Sequence, residues 1–104
     1  DVQRQTAKIL RVQQKFVSSD EARTINAAKP EPQLRICWGA KEALFKVYAL
    51  GQIDFRKHLS VDLPRVVGVS GWIRGSVQKA GTHVLCDIRY RFIQNYTLVY
   101  ALEV

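Results

Sequence analysis

The chain has 104 residues, 47% of them apolar, which is enough to bury one core and too little for two ordinary domains. It carries 16 Lys and Arg against 9 Asp and Glu, a formal charge of +7 that suits an acidic partner: nucleic acid, a membrane surface, a polyphosphate or an acidic protein. No apolar run is long enough to cross a bilayer and the polar opening Asp1 to Arg4 does not read as a signal peptide, so the expected location is the cytoplasm.

Cys37 and Cys86 stand far apart, without CxxC spacing or a nearby His, which predicts two buried free thiols rather than a zinc site or a disulfide. There is no methionine, not even at position 1, so the chain reads as a piece of a longer one.

Taken in order, residues 5 to 17 carry Ile9, Val12 and Phe16 at helical spacing with Lys8, Arg11 and Lys15 opposite, predicting a short amphipathic helix with a basic wet face. Ser18 followed three residues later by Glu21 is a capping-box pattern and predicts a second helix over 19–28. Pro30 and Pro32 interrupt the chain, and a third helix over 33–50 presents Ile36, Cys37, Ala40, Ala43, Leu44, Val47 and Leu50 as one broad stripe, ending near Gly51. The stretch from Gln52 to Val67 shows no clear period.

Beyond it the pattern alternates. Val84, Cys86, Ile88, Tyr90 and Phe92 fall on one side of a strand, with His83, Asp87, Arg89 and Arg91 on the other. Similar runs occupy 69–79 and 96–104, separated by Ala80-Gly81 and Gln94-Asn95, which predicts an antiparallel meander of three strands. The class is therefore α+β, N-terminal helices followed by an antiparallel three-stranded sheet, in a single domain over 1–104.

On the third helix Arg35, Gly39, Glu42 and Lys46 are spaced by four, three and four residues and share one arc. The arc sets a carboxylate beside an ammonium, with a glycine one turn below leaving room for something to approach the backbone, such as a metal-bound phosphate. Taken alone, the pattern reads first as an exposed Glu42–Lys46 ion pair worth roughly a few tenths of a kcal/mol, with Gly39 incidental.

The surrounding string, Trp38-Gly39-Ala40-Lys41-Glu42-Ala43-Leu44-Phe45-Lys46, resembles the W-x-x-K-E-A-x-x-K signature of 4'-phosphopantetheinyl transferases. Asp1-Val2-Gln3 is similar to the D-x-E part of that family's earlier G-x-D-x-E motif, at about the spacing of the double-length, surfactin-synthetase-activating type. The resemblance implies the C-terminal half of such an enzyme, one half of a pseudo-dimer whose site lies between two similar halves. It implies transfer of 4'-phosphopantetheine from coenzyme A to a serine of an acyl or peptidyl carrier protein, as in fatty acid biosynthesis.

By that comparison Asp1, Gln3 and Glu42 are the expected Mg2+ ligands, and the ion would hold the coenzyme A diphosphate. Lys46 would contact the phosphates and stabilise the departing 3',5'-ADP, Lys41 would reach the coenzyme A phosphates too, and Glu42 would take the serine proton. Gln3 departs from the family, where a carboxylate is usual; its amide oxygen can bind magnesium but brings no charge.

Among the remaining candidates, Trp38, Phe45 and Tyr48 are expected to pack under the sheet rather than stack on an adenine. His58 and His83 sit in no motif and receive no role, and Arg89 with Arg91 reads as a solvated face. Carrier proteins being acidic, the face carrying Lys8, Arg11 and Lys15 is the expected docking surface. The competing readings are a transferase-like half that is incomplete without its neighbour, through self-association or docking to an N-terminal half, and a basic α+β module binding nucleic acid, for which no signature is present. No membrane partner is expected.

Overall fold

A computed structural model describes residues 2–48, 52–94 and 96–104, with side chains from residue 7 onward. Three helices come first: α1 (Val2–Val12), extended by a single 3-10 turn at Gln13–Lys15, α2 (Ser19–Thr24) and α3 (Glu31–Val47). Four strands follow, β1 (Leu59–Val61), β2 (Ser70–Lys79), β3 (Thr82–Ile93) and β4 (Tyr96–Glu103), in one antiparallel sheet of order β1-β2-β3-β4.

The α+β class, the helices-then-sheet order and the three long strands agree with the sequence reading. The addition is β1. Its three residues pair with β2 through Leu59↔Val77 and Val61↔Gly75, in a stretch too short to show a period.

Two of the helix starts have a local cause. Ser18 Oγ accepts the Glu21 amide at 3.2 Å while Glu21 Oε1 accepts the Ser18 amide at 2.8 Å, so the capping box is complete. Pro30 and Pro32 flank the start of α3, where missing amides cost nothing because the first helical donors have no intrahelical partner. The helix stops at Val47, short of the expected end at residue 50; residues 49–51 lie outside the described set.

The core forms where α3 crosses the inner face of the sheet. Leu34, Ile36, Cys37, Ala40 and Leu44 are fully buried from the helix side, and Leu59, Val77, Cys86 and Ile88 from the sheet side. Phe16 and Ile9 extend the core under α1. Ala80 and Gly81 turn the β2–β3 hairpin with φ of 47° and 86°, a left-handed pair whose twist suits adjacent strands. Cys37 and Cys86 are buried free thiols, as expected. No helix among the described residues is long and apolar enough to cross a membrane.

The outer face of the sheet is less polar than the alternation suggested. Along β4, Tyr96, Leu98, Tyr100 and Leu102 are exposed. In register across the sheet, Trp72, Arg89 and Tyr100 form a row, with the Arg89 guanidinium 5.6 Å from the Trp72 ring centre and the Trp72 and Tyr100 rings 6.2 Å apart.

Candidate active site

The helical spacing of Arg35, Gly39, Glu42 and Lys46 turns their arc toward the start of β4. Two cavities open there. One, of about 310 Å³, is lined by Gly39, Glu42 and Lys46 from α3 and by Thr97, Val99 and Tyr100 from β4. The other, of about 100 Å³, lies toward α1 and is bounded by Ile9, Arg35, Glu42, Tyr96 and Thr97. Gly39, Glu42 and Thr97 line both, and Glu42 is the ionisable one of the three.

Glu42 is half-buried and Lys46 exposed, and among the described residues neither has a hydrogen-bond or ion-pair partner. The Glu42–Lys46 ion pair of the plainest reading is therefore not formed. Thr97 lines both cavities, and its Oγ1 is buried with no hydrogen-bond partner, the kind of polar atom a folded chain rarely leaves unsatisfied.

Gly39 corrects an expectation. The space it leaves is taken by β4, because a Cβ built on Gly39 would lie 2.7 Å from Val99 Cγ2. The glycine lets helix and strand approach closely; what comes near its backbone is a valine, not a phosphate.

Lys41 is the second correction. The structure puts its ammonium in the core, fully buried, rather than beside Glu42 at the coenzyme A phosphates. One residue along a helix is a rotation of about 100°, which carries Lys41 out of the arc of Glu42 and Lys46. Its Nζ donates to Phe16 O at 2.6 Å, to Glu21 Oε1 at 2.7 Å and to Phe55 O at 2.9 Å, and an ammonium has only three such protons to give. Removing either member of the Lys41–Glu21 pair would strand a buried charge, a loss of about 3–5 kcal/mol.

Asp1 and the side chain of Gln3, the other expected metal ligands, lie outside the described residues, and no cluster of three acidic, His or Cys side chains occurs among those described. Glu42 is the one expected ligand whose surroundings are visible. As a half-buried carboxylate at a cavity it is the hard oxygen donor that magnesium takes, so the donor chemistry fits.

A third cavity, about 640 Å³, opens on the far side of Trp38. Its floor is aromatic: Phe16 meets Trp38 edge-on at 5.2 Å between ring centres, and Trp38 lies 5.6 Å from Phe55. Trp38 is partly buried and Phe45 exposed, and their ring partners are Phe16 and Phe55, so neither packs under the sheet as expected. Tyr48 does lie under the sheet, its Oη accepting from Cys86 Sγ at 3.6 Å.

The rim of this cavity is basic, with Lys8 and Lys15 on one side and Arg56 and Lys57 on the other. Lys8 and Lys15 are legible as the wet face of the first helix; Arg56 and Lys57 are not, because they fall in the stretch without a period. Their placement comes from Asp54, whose Oδ1 accepts the Arg56 and Lys57 amides at 2.9 and 3.1 Å while its own amide donates to His58 Nδ1 at 2.8 Å. Those amides hold the Asp54 carboxyl below its ordinary pKa. The signal that could have found the turn is Asp54 itself, since an Asp side chain commonly accepts the backbone amides two and three positions on whatever side chains they carry.

Comparison with curated proteins and with solved structures gives no match. The family model of the 4'-phosphopantetheinyl transferase superfamily matches residues 1–98, a span that includes α1, the Glu42–Lys46 arc and the start of β4 that faces it. On that match, together with helices followed by an antiparallel sheet and Glu42 and Lys46 set at one cavity, the chain belongs to the 4'-phosphopantetheinyl transferase superfamily.

Proposed function

We propose that this chain provides the metal and phosphate half of a 4'-phosphopantetheinyl transferase site, moving phosphopantetheine from coenzyme A to a serine of an acyl or peptidyl carrier protein. The observation that carries the reading is the placement of Glu42 and Lys46, a carboxylate and an ammonium without other partners among the described residues, on one cavity wall opposite the unsatisfied Thr97 hydroxyl.

Glu42 would hold magnesium, with Asp1 and Gln3 as the further ligands. When bound, the ion neutralises and fixes the coenzyme A diphosphate. The serine oxygen attacks the phosphorus on the pantetheine side, its proton passes to Glu42 directly or through water, and the bond to the bridging oxygen breaks. The leaving 3',5'-ADP carries the bond's electron pair, and the Lys46 ammonium stabilises that charge.

The basic-rimmed aromatic cavity supports an acidic carrier protein as the partner. Lys8, Lys15, Arg56 and Lys57 would steer it, and Phe16, Trp38 and Phe55 offer an apolar seat. Tyr96 and Tyr100, exposed on β4, border the two cavities at Glu42 and support a neighbouring half, a second copy or an N-terminal half, as the other wall.

The test is incubation with coenzyme A, magnesium and an apo carrier protein, read by mass spectrometry beside a Glu42→Ala control. Transfer should fall by about 10² or more in the control. If the folded wild-type chain neither transfers the group nor binds coenzyme A with magnesium by calorimetry, the site assignment is wrong.

A further inference from the structure

Lys41 joins two walls of the aromatic cavity from below. Phe16 closes the turn after α1 and Phe55 lies in the segment between α3 and β1, and both line the space with Trp38 between them. Their carbonyl oxygens accept from the same ammonium, at 2.6 and 2.9 Å, so one buried side chain ties together two backbones remote in sequence.

Glu21 holds that ammonium in place. Its Oε1 accepts from Lys41 and from the Ser18 amide, and its Oε2 accepts the Val61 amide at 2.9 Å. The pair therefore links α2, α3, β1 and both cavity walls, and charge-assisted hydrogen bonds in a dry core are the strong and geometrically demanding kind.

We propose that Lys41, held by Glu21, is a positioning residue for carrier recognition: it sets the separation of the Phe16 and Phe55 walls and so controls affinity for the acidic carrier protein, leaving coenzyme A to Glu42 and Lys46. The inference rests on the proposed transferase function. A residue that only stabilised the fold would lower activity toward both substrates together, whereas this one acts on the carrier alone.

The experiment uses Lys41→Met/Glu21→Gln, which removes both charges so that neither is left buried and unpaired. In steady-state transfer the KM for the carrier should rise roughly tenfold, the loss expected on removing charge-assisted bonds that order a wall, while the KM for coenzyme A stays within about twofold. In a Trp72→Phe background Trp38 is the remaining tryptophan, and acrylamide should quench its fluorescence more strongly once the walls loosen.

A folded double variant with unchanged carrier KM and unchanged quenching overturns the proposal. So does a variant in which the loss falls on coenzyme A instead. If circular dichroism shows that the double variant does not fold, Lys41→Arg, which keeps a cation beside Glu21 but changes the length and geometry of the tie, is read in the same assays, with smaller changes in the same direction expected and no change overturning the idea. If the wild-type chain neither transfers the group nor binds coenzyme A with magnesium, it is the transferase reading that fails, and the quenching comparison still decides whether Lys41 sets the walls.

Discussion

A methyl group at position 39 shows how a single residue couples the motif to the fold. Replacing a helical glycine with alanine ordinarily stabilises by about 0.5–1 kcal/mol. Here the new Cβ would meet Val99 at 2.7 Å in a packed helix–strand contact, and overpacking costs about 1–3 kcal/mol. The second effect wins, so Gly39→Ala should lower the thermal midpoint. Gly39→Ala/Val99→Ala should recover much of the loss, since the smaller partner makes room. A Gly39→Ala variant as stable as wild type would show that the close approach is unimportant.

Asp54 is a second residue whose effect can be signed. Its carboxyl is held below the ordinary value of 3.8, first by the Lys57 amide and then by the Arg56 amide. A depressed folded value means that the turn is stabilised above the unfolded pKa and loses this support as pH falls through the lower, folded one. The carboxyl resonance of Asp54 should therefore titrate below 3.8, and the Arg56 and Lys57 amide protons should lose protection over the same acid window. Titration at or above that value would mean the turn is not closed in solution.

At the scale of elements, the sequence was most informative where a period or a cap could develop. The alternation from Val84 to Phe92 predicts both faces of β3 correctly, and the Ser18–Glu21 pair announces the start of α2. Two kinds of element were not legible. Leu59–Val61 is too short to alternate, and it becomes a strand only because β2 offers it a register. The Lys41–Glu21 pair spans 20 positions with no local signal, so Glu21 reads as half of a cap until the fold shows its other bonds.

The site divides in the same way. Glu42 and Lys46 are legible because helical spacing fixes which residues share an arc, and the structure keeps them on one cavity wall. The same spacing puts Lys41 on a different face from Glu42; what the sequence does not show is that this face is buried against Phe16, Glu21 and Phe55. Gly39 was misread because sequence alone does not show what fills the room a glycine leaves; Val99 supplies it from 60 positions away.

For the molecule as a whole, the charge of +7 and its placement lead to a prediction about association. Lys8, Lys15, Arg56 and Lys57 converge on one rim from two separate segments, so the field at the cavity mouth exceeds what any single segment would give. An acidic carrier protein approaching it would be steered at low salt, and that steering weakens once the Debye length falls to about 10 Å near 0.1 M ionic strength. The carrier KM should thus rise between 0.02 and 0.3 M salt, by about an order of magnitude if steering governs the encounter.

Neutralising the rim separates this effect from the anionic coenzyme A, which also responds to salt. Lys15→Ala/Arg56→Ala should raise the carrier KM at low salt and flatten its salt dependence, while leaving the coenzyme A KM within about twofold. Both side chains are exposed, so the substitutions should leave the core and the Glu42 cavity intact. If the flattening appears in the coenzyme A profile instead, the rim serves the nucleotide and the carrier must approach from another side.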